Sequence, residues 1–207
     1  MDQSIKNTTI KKKQGHPSKT KRPNSVGWYS SYDRGLECLL NMWGKVLEQN
    51  PDATLDIYYG WDIFDAVHKQ NPEQMKWKWG IIRKINEFDS VTEHGRVSHQ
   101  ELAEAMRDIK VWAYPTEFNE INCITALKAQ EAGCIPVTTG CYALAETVTN
   151  NRYTVKCEDI YTNEKKQEKF IDNIVFALKD NDPVDKVPNV YWSDIASCWH
   201  KTLSDRI

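Results

Sequence analysis

No apolar run in the chain approaches the length of a bilayer span, and no signal-peptide core follows the basic start. Neither a membrane-spanning helix nor a secretory leader is therefore expected. Net charge is only −2, so no overall field draws the chain to nucleic acid or acidic lipid, and no nucleic-acid partner is expected. The six cysteines (Cys38, Cys123, Cys134, Cys141, Cys157, Cys198) include no C-x-x-C pair. Several sit inside apolar runs, where cysteine acts as a small hydrophobe, which suits a reducing cytosol. His68, His94, His99 and His200 stand alone, and none is placed to make a zinc face. No repeat of fixed period runs through the chain. The first strand-to-helix loop lacks G-x-G-x-x-G, which removes the main support for a dinucleotide-binding dehydrogenase.

What is present suits an ordinary globular protein: 207 residues, 40% hydrophobic and 27% charged, enough for one large domain or one domain with tails. Residues 1–24 stand apart, with Lys6, Lys11, Lys12, Lys13, Lys19, Lys21 and Arg22 against the single acid Asp2. So little apolar surface cannot offset the entropy of ordering, and the segment reads as a disordered tail or linker. Lys11 to Lys13 also suit a phosphate- or membrane-seeking arm, but no aromatic or amphipathic pattern accompanies the charge. Residues 25–207 form the domain.

In that domain strand-like and helix-like pieces alternate. The pattern predicts strands at Val26–Tyr29, Thr54–Tyr59, Ser90–His94, Ile109–Tyr114, Ile135–Thr138 and Tyr153–Lys156. Helices are expected from Leu36 to Asn50-Pro51, over 62–88 with a break at Asn71-Pro72, and from Ser98 to Asp108, where Ser98 and Glu101 make a capping box. Further helices are expected at Glu120–Ala132 with Gly133 as its stop, Tyr142–Thr149, Thr162–Lys179 and Val190–Leu203, with Pro183 and Pro188 in a loop before the last. Strands alternating with long helices imply an α/β, Rossmann-like parallel sheet flanked by helices. Ligands then gather beyond the carboxyl ends of the strands, at loops starting with Ser30, Gly60, Gly95, Pro115 and Thr139.

Two of these loops carry chemistry. In Ser30-Ser31-Tyr32-Asp33-Arg34-Gly35, backbone N–H groups and the helix's positive end face the crevice, and Arg34 offers a planar donor fork to phosphate. The plainer reading is an N-terminal helix turn with a surface arginine, Asp33 pairing with it or capping the helix. In Glu117 to Gly133 a strand end delivers glutamates and asparagines beside a helix start. Glu120 and Lys128, about two turns apart, would share a helix face. Glu120 suits sugar hydroxyls, and equally an ordinary first-turn glutamate favoured by the helix dipole. The N–H groups of Asn122, Cys123 and Ile124 are expected to meet a phosphate or sugar oxygen. Cys123 has no histidine close in sequence and reads as a small side chain packed under a ligand. Asp180-Asn181-Asp182 matches a D-x-D metal motif but reads as a helix stop.

The strings SSYDRGLECLL, YGW, GRVSHQELAEAM, VWAYPTEFNEINCITALKAQEAG, IPVTTGCYALAETV and WSDIASCW, in that order, resemble the C-terminal domain of group 1 (family 4) glycosyltransferases of GT-B architecture. The resemblance runs from about Val26 to Trp199. It implies retaining transfer of a hexose-type sugar from a nucleoside diphosphate sugar, with no cofactor and no obligatory metal. It casts Arg34 as the group that neutralises the leaving diphosphate and Glu120 as the carboxylate on the donor sugar. Gly95-Arg96-Val97 would line the base pocket, Val97 included, with Ser31, Gly60, Asn122, Cys123 and Ile124 also on the donor. Lys128 stands where the family has a second, ribose-binding glutamate; an ammonium donates to a ribose hydroxyl but cannot accept from it. Ser30-Ser31 stands where the family often has a further arginine.

The acceptor, whether sugar, lipid-linked or protein, would bind an N-terminal domain for which residues 1–24 leave no room. A fragment of a longer enzyme, a split enzyme with a partner chain supplying that domain, and a non-catalytic nucleotide-sugar or phosphate-ligand-binding module all fit. The expected setting is cytoplasmic or membrane-peripheral.

Overall fold

The strands of this chain are short, and those starting at Thr54, Ile109 and Ile135 are buried along most of their length, the mark of strands covered on both faces. In the computed structural model, which describes residues 21–182 and 192–204, six of them form one parallel sheet. They are β1 (Arg22–Trp28), β2 (Thr54–Tyr58), β3 (Val91–Gly95), β4 (Ile109–Tyr114), β5 (Ile135–Thr139) and β6 (Tyr153–Val155), in the order β3-β2-β1-β4-β5-β6. Val26 pairs with Leu55 on one side and Val111 on the other, so β1 is central. The chain first winds outward from β1 to β3, then returns to lay β4 on the other side of β1. The carboxyl ends of β1 and β4 therefore flank the point where strand order reverses, the crevice where such sheets bind ligands. The expected α/β, Rossmann-like class is the one the chain adopts.

Helices flank the sheet. A short 3-10 turn, Tyr32–Arg34, leads from β1 into α1 (Leu36–Gln49), whose Leu36, Leu39, Leu40, Trp43 and Val46 are buried. α2 (Asp62–His68) and α3 (Pro72–Ile85) follow β2, separated at the Asn71-Pro72 break, where the Asn71 side chain caps α3. α4 (His99–Asp108) opens with the Ser98–Glu101 capping box. α5 (Ile124–Glu131) and α6 (Leu144–Thr147) precede and follow β5, and α7 (Glu164–Lys179) packs back on α1 and the sheet. α8 (Trp192–Ser204) ends the described chain. Trp28, Trp43 and Trp112 are all at 0% exposure. Each such ring buries about 150–250 Å², worth about 4–6 kcal/mol at about 25 cal/mol/Å². No described helix is long and apolar enough to cross a membrane.

Among the boundaries that differ from the sequence reading, four elements have a visible reason. β1 begins at Arg22, inside the segment read as tail. Arg22 pairs with the buried Asp56, and the Lys21 ammonium donates to the carbonyls of Met106 and Ala132 at 2.8 and 2.6 Å. These contacts give the polar lead-in a reason to order. The helix expected from Glu120 begins only at Ile124, because the 120–123 stretch is pulled into a loop. The helix expected over Tyr142–Thr149 is one turn, Leu144–Thr147. Tyr142 takes φ +50, and the Gln130 side-chain carbonyl captures the Thr149 N–H. The helix expected from Thr162 starts at Glu164, after the Asn163 cap. Residues 1–20, Pro183, Pro188 and the expected start of the last helix at 190–191 lie outside the described residues.

Candidate functional site

Arg34 and Glu120 meet across the crevice. Arg34 closes the 3-10 turn after β1, held there by its own N–H donating to the Ser31 carbonyl. Glu120 comes from the loop after β4. Its Oε1 lies 3.2 Å from the Arg34 guanidinium and accepts the Tyr114 hydroxyl at 2.8 Å. No described residue donates to Oε2. The Glu120 side chain is only 8% exposed while that of Arg34 is 35% exposed, so the guanidinium has donors left facing outward. Desolvation pulls the Arg34 pKa down, but the Glu120 carboxylate and the Tyr114 side chain outweigh it and leave it above its ordinary value. Burial, then the hydrogen bond to Glu120, push the Tyr114 hydroxyl well up, so it stays a proton donor. The Phe118 ring covers the guanidinium at 4.0 Å, a cation–π contact that fixes its plane.

This geometry corrects both plainer readings. Arg34 spends its ion pair on Glu120, not on Asp33. Glu120 is not a first-turn helix glutamate: it sits four residues ahead of α5, pinned by Arg34 and Tyr114 at its side chain and by the Ala143 N–H at its carbonyl. Glu120 and Lys128 accordingly do not share a helix face. Glu120 is buried and Lys128 is exposed, without a hydrogen bond or ion pair from its ammonium among the described residues.

The remaining expected residues fall into place unevenly. Ser31 is half-buried at the start of the 3-10 turn, and Val97 is half-buried in the turn after β3. Cys123 is buried beneath the loop, its thiol pushed up to about 11 by burial, too high for a nucleophile at neutral pH. Asn122 is exposed, and Ile124 is 58% exposed at the head of α5. The Ile124 N–H is not free as expected: it donates to the Asn122 carbonyl at 3.1 Å. The N–H of Gly60 is engaged too, donating to the Tyr32 hydroxyl at 3.0 Å. Gly60 also has a geometric role, at φ +82 with its α-carbon so close to Arg96 that a Cβ would stand 2.7 Å from the Arg96 nitrogen.

Tyr114, Phe118 and Tyr161 were missed as site residues. Glu117 accepts the Tyr161 N–H at 2.6 Å while its own N–H donates to the Tyr161 hydroxyl, which ties the β4 loop to the segment before α7. Only Tyr114 carried a signal in the sequence, as the last residue of a strand aimed at the crevice. No group of three or more metal-ligand side chains converges among the described residues. Asp180 and Asp182 of the D-x-D string both pair with Arg152, and Asp180 also accepts the Tyr153 hydroxyl.

No family model matches the chain, and no curated protein matches it in sequence. Solved structures do match its shape. The pneumococcal O-GlcNAc transferase GtfA, in complex with UDP and GlcNAc, aligns at TM-score 0.63 and 14% identity over 89% of this chain and 36% of that one. TarM aligns at 0.55 and 14%, over 89% and 36%. Anabaena Alr3699/HepE, in complex with UDP and glucose, aligns at 0.51 and 13%, over 88% and 48%. The chain has the Rossmann-like fold of GT-B glycosyltransferases. At such identities the likeness is one of fold, and this GT-B-like chain spans between about a third and a half of the length of these structures.

Proposed function

We propose that the chain is the donor-binding, C-terminal half of a GT-B glycosyltransferase, taking a nucleoside diphosphate sugar at the crevice between β1 and β4. The observation that carries this reading is the Arg34–Glu120 pair at 3.2 Å, built from the two loops that flank the strand-order reversal. The outward donors of Arg34 take the diphosphate. As the glycosidic bond breaks, charge grows on the β-phosphate oxygen, and a preplaced guanidinium stabilises it without reorganising. Glu120 keeps Oε2 for a sugar hydroxyl while Oε1 stays with Arg34 and Tyr114. Arg34 thus supplies the positive charge that a metal ion supplies elsewhere, and no obligatory metal or cofactor is needed.

On this reading the reaction is retaining transfer of a hexose-type sugar in the cytoplasm or at its membrane face. The acceptor, a sugar, lipid-linked or protein group, binds an N-terminal domain carried on the same or a partner chain. A second reading, a non-catalytic nucleotide-sugar or phosphate-ligand-binding module, is favoured by one observation: Lys128 lies exposed where the resemblance calls for a ribose-binding carboxylate. Calorimetric titration with UDP-, GDP- and ADP-sugars tests donor binding. Transfer after addition of an acceptor-binding half separates the two readings.

A further inference from the structure

The hydroxyl of Tyr32 joins its own turn to the loop after β2 and to β3. Tyr32 opens the 3-10 turn that ends in Arg34, and its ring is only 3% exposed, set edge-on against Trp61 at 4.5 Å. Its O–H donates to Glu93 Oε1 on β3 at 2.7 Å and accepts the Gly60 N–H after β2 at 3.0 Å. Gly60 in turn lies against the Arg96 backbone, and the Tyr59 N–H donates to the Gly95 carbonyl at 3.0 Å. A continuous chain of short contacts therefore runs from the Arg34 turn to the Gly95–Val97 turn. The hydroxyl spends a donor and an acceptor on it. Burial, then Glu93, hold its pKa far above the ordinary tyrosine value, so the donated proton is permanent. Among the described residues the Arg34 turn makes no other side-chain hydrogen bond to β2, β3 or the loops that follow them; its remaining contacts there are the Tyr32 ring's with Tyr59 and Trp61.

We infer that Tyr32 is a positioning residue, whose hydroxyl fixes Arg34 at the diphosphate by anchoring its turn to Gly60 and Glu93. The inference rests on the donor-binding reading above. A ring that merely filled the core would need no hydroxyl. Here loss of the hydroxyl strands a buried N–H at Gly60 and a carboxylate oxygen at Glu93, and the turn is free to re-seat.

The test is a double-mutant cycle read by calorimetry, using whichever of UDP-glucose, GDP-glucose and ADP-glucose the unmodified chain binds most tightly. Tyr32→Phe weakens that ligand about tenfold, and Arg34→Ala, which costs about tenfold in the unmodified chain, costs less than about threefold on top of Tyr32→Phe. Glu93→Ala behaves as Tyr32→Phe does, while Glu93→Gln, which keeps an acceptor for the hydroxyl, restores the affinity. Should Tyr32→Phe fail to fold, Glu93→Ala carries the cycle. If the two penalties simply multiply, or if Glu93→Gln is as poor as Glu93→Ala, Tyr32 is structural and the inference is overturned while donor binding stands. If the unmodified chain binds none of the three ligands, the inference falls together with the donor-binding reading.

Discussion

Gly35 lies against the Pro115 carbonyl oxygen so closely that a Cβ on Gly35 would stand 2.2 Å from it. The loops that follow the two central strands touch at this point, and the touch delivers Arg34 to Glu120. Gly35 also sits at φ +116, a backbone state that side chains disfavour. Gly35→Ala is expected to cost more than about 2 kcal/mol, since neither backbone can yield cheaply. Thermal unfolding should show a fall of at least about 4–8 °C at about 2–4 °C per kcal/mol. Gly95→Ala is the control: φ is +68 but nothing lies within 4 Å of the added carbon, so about 1 kcal/mol is expected.

The Arg34–Glu120–Tyr114 cluster should lose function in a set order. Arg34→Ala and Glu120→Ala each weaken donor affinity by about tenfold or more, because each removes a charge-assisted contact and leaves its partner unpaired. Tyr114→Phe should cost only about threefold, since Arg34 still holds Glu120 Oε1. Calorimetry on the three variants checks the order. A larger loss for Tyr114→Phe than for Glu120→Ala would contradict it.

The strand pattern was legible because apolar runs bounded by turn residues leave few alternatives: Ile109–Tyr114 and the Ser98 capping box are as read. Arg34 and Glu120 were legible as residues, but their pairing was not, since 86 positions separate them and only the strand-order reversal brings them together. The start of α5 was misplaced for a related reason. Local propensity allows a helix from Glu120, but the side chain is drawn sideways to Arg34 and Tyr114 and the backbone follows. The Tyr32 hydroxyl network was invisible for the same cause: its partners Gly60, after β2, and Glu93, on β3, are remote in sequence. Lys21 and Arg22 were read as tail because their partners, Met106, Ala132 and Asp56, are remote in sequence.

The thiols should report the packing. Five of the cysteines are buried and Cys198 is exposed. At pH 8 one thiol is expected to react promptly with an aromatic disulfide reagent and the others only as fast as the fold opens. Prompt reaction of three or more would contradict the packing.

Those thiols also set an alkaline limit. Burial pushes Cys38 up to about 12 and Cys123, Cys134 and Cys157 to about 11, from an ordinary 9.0. The unfolded chain therefore releases these protons first, so the folded state binds more protons above pH 9. Their contribution to stability is complete below about pH 9 and is lost as pH climbs through about 11 to 12. Urea unfolding at intervals from pH 7 upward should show a plateau and then a fall. Stability that rises above pH 9 would contradict this.

Asp180 and Asp182 are engaged by Arg152, and Arg34 carries the positive charge of the proposed site. Donor binding should therefore be the same, within about twofold, with excess EDTA as with added manganese. Asp182→Asn should leave it unchanged. A strict manganese requirement would remove the proposed role of Arg34 as the charge on the diphosphate.

The central claim, that the β1–β4 crevice binds a nucleoside diphosphate sugar through Arg34 and Glu120, is tested most directly by calorimetric titration of the purified chain with UDP-, GDP- and ADP-sugars. Saturable binding at or below about millimolar ligand, lost in Arg34→Ala and Glu120→Ala, is the predicted result. No binding by any of the three at that concentration, or binding that both variants retain, would contradict it.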